Sequence, residues 1–172
     1  MMQSDSRFFV IAGTARNVGK TTLACELIKK LSKTERIIAV KFLCLKKEGY
    51  KHKHHNNIDT YEIFEERDLQ KKKDSTKMLV AGATKSFFIV SQEEYINQAI
   101  VQLLKLIRDD DVVVAESACL RKYINPKYFI IVDKENAEPR KDYIDNLIPL
   151  ANYYLDSDKD FMFESFLSTT IP

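Results

Sequence analysis

Phe8-Phe9-Val10-Ile11, followed by Gly13-Thr14-Ala15-Arg16-Asn17-Val18-Gly19-Lys20-Thr21-Thr22, reads as an apolar strand running into a glycine-framed loop that opens a helix. That succession decides the fold, because strand, loop and helix of this kind make a phosphate-binding turn. A triphosphate needs backbone N–H groups that approach closely, a flexible cation, and a hydroxyl for the magnesium that travels with it. Gly13 and Gly19 permit the first, Lys20 supplies the second and Thr21 the third. The helix beginning near Lys20 adds the positive end of its dipole beneath the anion. The chain has only four glycines, and two of them stand here. Ala15, Asn17, Val18 and Thr22 complete the segment expected to wrap the phosphates, while Arg16 could grip a phosphate bidentately or point to solvent.

At 172 residues and 45% hydrophobic, the chain has the size of one domain spanning 1–172 with a full core. The net charge of +2 spread over 30% charged residues provides no global field for nucleic acid. Positive charge is instead local: between Lys41 and Lys77 ten Lys/Arg face seven Asp/Glu, with Lys71-Lys72-Lys73 the densest run. This run is either a solvated face or the border of an anionic small-molecule site. Cys25, Cys44 and Cys119 are scattered without C-x-x-C spacing, which argues against a disulfide framework or a zinc ribbon. The N-terminal residues lack a basic stretch followed by a long apolar run, and no segment reaches transmembrane length. A cytoplasmic protein that does not engage a membrane is the expectation.

Beyond the loop, Leu23, Ala24, Leu27, Ile28 and Leu31 recur at helical spacing, predicting a helix to about Lys33. Arg36 to Leu45 is a nearly unbroken apolar run, as in a strand buried on both faces of a parallel sheet. Lys46 to Asn57 reads as a long loop, and Ile58 to Arg67 as either a short helix or a short strand. A helix is expected from Ser75 to Gly82 and a strand from Ser86 to Val90. Ser91 with Glu94 makes a capping box for a helix reaching about Arg108. Strands follow at Asp111–Ala115 and Tyr128–Val132, then a helix from about Lys141 to Leu150 and a short strand at Tyr153–Leu155. Alternating strands and helices predict an α/β fold, a three-layer, doubly wound, mostly parallel sheet of the P-loop NTPase kind. Ligands of such sheets lie beyond the carboxyl ends of the strands, so the loops after Ile11, Leu45, Val90, Ala115 and Val132 should share one face.

On that face Glu116 closes a strand, where a carboxylate can hold magnesium or orient an attacking water. Asp109 and Asp110, at the opposite end with Asp111, are expected to cap and solvate a turn. Lys73-Asp74-Ser75, followed after five residues by Ala81-Gly82-Ala83, reads alone as a helix start and a glycine exit. Two resemblances attach to these motifs. The loop G-T-x-x-x-x-G-K-T, one residue longer than the usual form, resembles the dethiobiotin-synthetase and cobyrinic-acid-amidase branch of the phosphate-loop proteins. The K-D-[ST]-x-x-x-x-x-A-G-A segment resembles the molybdopterin-guanine dinucleotide biosynthesis protein B family, MobB. The order of features from Phe8 to about Val132 is similar to that family: phosphate loop, lysine-bearing second strand with Lys41, the Asp74 segment, then a strand ending in glutamate. Ser117-Ala118-Cys119 departs from it, since glycine typically follows the glutamate there.

The MobB resemblance implies a dimeric α/β domain that binds GTP and magnesium and assists attachment of a nucleotide to molybdopterin. Carried over by position, Lys20 would hold the β- and γ-phosphates, Thr21 the magnesium, and Glu116 the magnesium shell or the attacking water, with Asp74 near the same metal. Lys51-His52-Lys53-His54-His55 resembles a K-H-x-H-H stretch of that family, and its histidines would either bind a metal or line a solvated or substrate-facing loop. Asp133 could accept from a guanine edge with Lys134 over the ring, although a polar strand exit is expected there anyway. The expected function is slow hydrolysis of Mg-GTP or Mg-ATP by a homodimer. The alternatives are an ATP-dependent ligase or small-molecule kinase, and a nucleotide-dependent adaptor for a partner enzyme.

Overall fold

The computed structural model describes residues 3–45 and 58–170. The long loop and the three histidines expected at 46–57 lie outside the described residues. Seven strands form one sheet: β1 (Gln3–Gly13), β2 (Ile37–Leu45), β3 (Tyr61–Glu65), β4 (Lys85–Gln92), β5 (Val112–Glu116), β6 (Ile124–Asp133) and β7 (Tyr153–Asp156). Their order is β3-β4-β2-β5-β1-β6-β7. All neighbours are parallel except the edge strand β3, which runs antiparallel to β4. Among the described residues four α-helices accompany them: α1 (Lys20–Leu31), α2 (Asp74–Val80), α3 (Ile96–Leu106) and α4 (Asp160–Thr170).

The layers follow from side-chain alternation along β1. Phe8, Val10 and Ala12 face the core shared with α3, whereas Phe9 and Ile11 face the core shared with α1. On α1 the helical stripe Leu23, Ala24, Leu27, Ile28 and Leu31 meets the second core, and Met78 of α2 joins it. On α3 the stripe is Ile96, Ala99, Ile100 and Leu103. Both faces of the central strands are covered, so β2 and β5 are apolar apart from Lys41 and the terminal Glu116, as the nearly unbroken runs predict. This is the three-layer α/β arrangement of P-loop-type folds. No helix among the described residues is long and apolar enough to cross a membrane.

The segment from Ile58 to Arg67 resolves as the strand β3, with Tyr61 and Ile63 packed on the core and Glu62 and Phe64 turned outward. Two local expectations are corrected. The helix from Lys141 to Leu150 is absent: Ile144 N–H donates to Lys141 O at 3.0 Å, Leu147 N–H to Ile144 O at 2.8 Å, and a 3₁₀ turn follows at Ile148–Leu150. Pro149 removes a donor and crowds the preceding turn, while Ile144 and Leu147 are buried at a spacing that also suits linked turns. The Ser91 capping box is also absent, because Ser91 lies buried within β4 and its hydroxyl donates to Gln92 O at 2.8 Å. A 3₁₀ turn, Glu93–Tyr95, intervenes before α3.

Asp111 is more than a solvated turn residue. It is buried, accepts from Arg36 Nε at 2.8 Å and receives Arg108 N–H at 2.8 Å, closing the turn before β5. At the C-terminal side, Phe166 of α4 is 3% exposed and meets Tyr153 edge-on, with ring centroids 4.8 Å apart. Tyr153 in turn contacts Tyr128, and Tyr128 contacts Phe9, so a line of aromatic rings ties α4 to β1 across β6 and β7. The aromatic segment near the C-terminus therefore docks on its own sheet. Phe166→Ala should cost about 3 kcal/mol in urea unfolding. A loss below about 0.5 kcal/mol, the scale of surface substitutions, would contradict that docking.

Candidate functional site

The loop between β1 and α1 is shaped by three backbone requirements. Gly19 has φ 94°, and Asn17 has φ 56°, both left-handed, which suits glycine and asparagine. Gly13 is needed for space rather than for torsion: a Cβ there would lie 2.6 Å from Val18 Cγ2 and 2.7 Å from Lys20 Cδ. The Lys20 side chain thus passes directly over Gly13 and arches back, its ammonium donating to Ala15 O at 3.1 Å. Val18 and Ala15 are buried beneath the loop, whereas Arg16, Asn17 and Thr22 are exposed. Thr14 continues the β-ladder, with its N–H on Val132 O at 3.1 Å and its hydroxyl on the Asp133 carboxylate.

The parallel register brings the remaining groups to the same edge. Ile11 stands opposite Glu116, and Glu116 stands opposite Lys41, so the carboxyl ends of β1, β5 and β2 are level. Glu116 is 2% exposed. One of its oxygens accepts from the Thr21 hydroxyl at 2.8 Å, and the other is ion-paired with Lys41. Lys41 also reaches Asp74 at 3.1 Å, and Lys77 approaches the other Asp74 oxygen at 3.6 Å. Burial pulls the Asp74 carboxyl upward, but Lys41 and Lys77 outweigh it and hold the pKa below the usual range. For Lys20, burial dominates and lowers the ammonium pKa, with Glu116 opposing and Lys41 adding repulsion.

Lys20, Thr21, Glu116 and Asp74 are thus brought together from α1, β5 and α2. Asp133 is committed elsewhere. Its two oxygens accept from Thr14, Lys134 N–H, and Tyr154, and Arg140 lies 3.6 Å away, so the carboxylate braces the loop rather than facing outward. The Lys134 ammonium lies 3.8 Å from Asp158. Lys71, Lys72 and Lys73 are exposed. The donors around Thr21 are hard oxygens, a hydroxyl and two carboxylates, which suit a magnesium ion that keeps much of its water. The Lys41 ammonium lies between the two carboxylates and would share them with such an ion.

Two groupings have no counterpart in the sequence reading. Cys44 near the end of β2 and Cys119 just after β5 pack against the same core, and Cys119 Sγ lies 3.1 Å from Ser117 Oγ. The influence of each thiol on the other raises the pKa of Cys44 and lowers that of Cys119. Adjacent strands bring them together, so no spacing along the chain could reveal the pair. Lys141, from the connection between β6 and β7, donates its N–H to Thr14 O and its ammonium to Gly13 O, both at 2.9 Å. Its position in a segment read as a helix start concealed it.

The fold that carries these groups is a three-layer α/β arrangement consistent with the P-loop type. No family model, no curated protein and no solved structure matches the chain.

Two outcomes follow from this geometry. Gly13→Ala should destabilise the protein by about 1–3 kcal/mol in denaturant unfolding, since Val18 and Lys20 must both move, and a neutral effect would contradict the close approach. Burial, reinforced by Lys20 and Lys41, lowers the Lys141 pKa to about 8. A lysine is near 10.4 when unfolded, so between these values the unfolded chain binds more protons and stability rises with pH. Thermal melts from pH 8 to pH 10 should show that rise, and Lys141→Met should flatten it.

Proposed function

We propose that this protein binds a magnesium–nucleoside triphosphate, GTP or ATP, at the loop 13–22 and hydrolyses it slowly. The observation that carries the reading is the convergence of Lys20, Thr21, Glu116 and Asp74 on one edge of the sheet, beside backbone N–H groups at the start of α1. Phosphoryl transfer demands positioning and charge neutralisation more than covalent chemistry. Lys20 would leave Ala15 O for the β- and γ-phosphates, exchanging a neutral partner for an anionic one. The N–H groups following Gly19 would hold the phosphates against the helix dipole. Thr21, with Glu116 and Asp74, would hold the magnesium, which when bound neutralises charge on the phosphate oxygens. Glu116 would also orient an attacking water.

The family reading goes with this: a MobB-like, cytoplasmic homodimer that assists nucleotide attachment to the molybdenum cofactor, supported by the K-D-S…A-G-A segment that spans α2. Lys41, held between Glu116 and Asp74, favours a second reading as a ligase or small-molecule kinase resembling dethiobiotin synthetase, in which Lys41 meets an anionic acceptor. Phosphate release without any acceptor favours the hydrolase. An adaptor that binds nucleotide without productive turnover would show affinity and no phosphate release.

Lys20→Ala should weaken Mg-GTP or Mg-ATP binding about 100-fold, or ~2.7 kcal/mol, in calorimetric titration. Unchanged affinity for whichever nucleotide the wild type binds would remove the phosphate-loop assignment.

A further inference from the structure

Lys141 has no place in the chemistry described so far, yet it is among the most firmly held side chains at the loop. Its backbone N–H and its ammonium grip consecutive carbonyls, those of Thr14 and Gly13. The segment that follows is pinned by buried Ile144 and Leu147 in the α3-side core, while Ala137 before it packs on the α1-side core. The connection between β6 and β7 thus straddles the end of the sheet and presents one lysine inward. Carbonyl oxygens are weak partners for an ammonium withdrawn from water.

The charges that act most strongly on Lys141 are Arg16 from the loop, Lys20 from α1, Lys41 from β2 and Glu116 from β5. Three of these four are cations. With Lys141 itself they outnumber Glu116 and Asp74, and the surplus converges where Lys20, Thr21 and Glu116 meet. A like-charge cluster held in place by the fold is a site prepared for a polyanion. The groups that Lys141 faces are those of the magnesium and outer-phosphate end.

We propose that Lys141 is a second polyphosphate-binding cation, supplied by the chain itself, that contacts the terminal phosphate and makes the site prefer a triphosphate to a diphosphate. This rests on the nucleotide-binding reading above. On binding, the ammonium exchanges Gly13 O for a phosphate oxygen, a charge-assisted bond in place of a neutral one. The anion raises the pKa of Lys141 from about 8. The affinity due to Lys141 is therefore fully present below pH 8 and falls as pH rises through the bound-state pKa, and near pH 8 binding takes up about half a proton.

The test is calorimetry on the full chain with Mg-GTP, Mg-GDP, Mg-ATP and Mg-ADP, at pH 8 in two buffers of different ionisation heat. The variants are Lys141→Met, Lys141→Arg and Lys20→Ala. Lys141→Met should weaken triphosphate binding about tenfold and diphosphate binding less than about threefold, and should abolish proton uptake. Lys141→Arg should restore most of the preference without proton uptake, which keeps the test decisive if the methionine variant folds poorly. Equal weakening of both nucleotides, or an unchanged triphosphate preference in Lys141→Met, would overturn the proposal. If Lys20→Ala weakens binding while Lys141→Met leaves the preference intact, only this inference fails. If Lys20→Ala has no effect, the nucleotide-binding reading fails with it.

Discussion

A single buried carboxylate holds the carboxyl-end edge of the sheet together. Glu116 accepts from Thr21 on α1 and from Lys41 on β2, and through Lys41 it is linked to Asp74 at the start of α2. An unpaired carboxylate at that depth would cost several kcal/mol, so α1 and β2 must converge on it for the fold to be tolerable. The sheet register makes this convergence possible by setting Ile11, Glu116 and Lys41 level across three strands. The first turn of α1, and with it the exit of the glycine loop, is anchored by that requirement.

The opposite flank of the loop is braced by a second carboxylate. Asp133 collects Thr14, Tyr154 and its own following N–H, fixing the entry of the loop to β6 and β7. Between these two acidic anchors lies a stretch of backbone surrounded by Lys20, Lys41, Lys141 and Arg16. The anchors set its shape, and the cations set its sign. Burial is the main cause that lowers the pKa values of Lys20 and Lys141, and neighbouring cations add to it.

The fold was largely legible because its signals are local. The apolar runs of β2 and β5 and the helical stripes of α1 and α3 each require only neighbours along the chain, as does the strand–loop–helix succession. The roles of Gly13 and Gly19 could be anticipated as backbone requirements, although one turned out to be spatial and the other torsional. What escaped depends on contacts between distant segments. Asp133 looked available for a base because the Thr14 hydroxyl that claims it lies 119 positions away. Ile144 and Leu147 gave a helical period to a series of turns, and Lys141 gained its place only because that segment folds back over the loop. The Cys44–Cys119 contact likewise exists through strand adjacency alone.

The most direct test of the central claim is a crystal structure with magnesium and a non-hydrolysable GTP or ATP analogue. The account predicts the β- and γ-phosphates against the backbone N–H groups at the start of α1, Lys20 moved from Ala15 O onto phosphate oxygen, and magnesium beside Thr21. Nucleotide bound elsewhere, or bound at the loop with Lys20 still on Ala15 O, would contradict it.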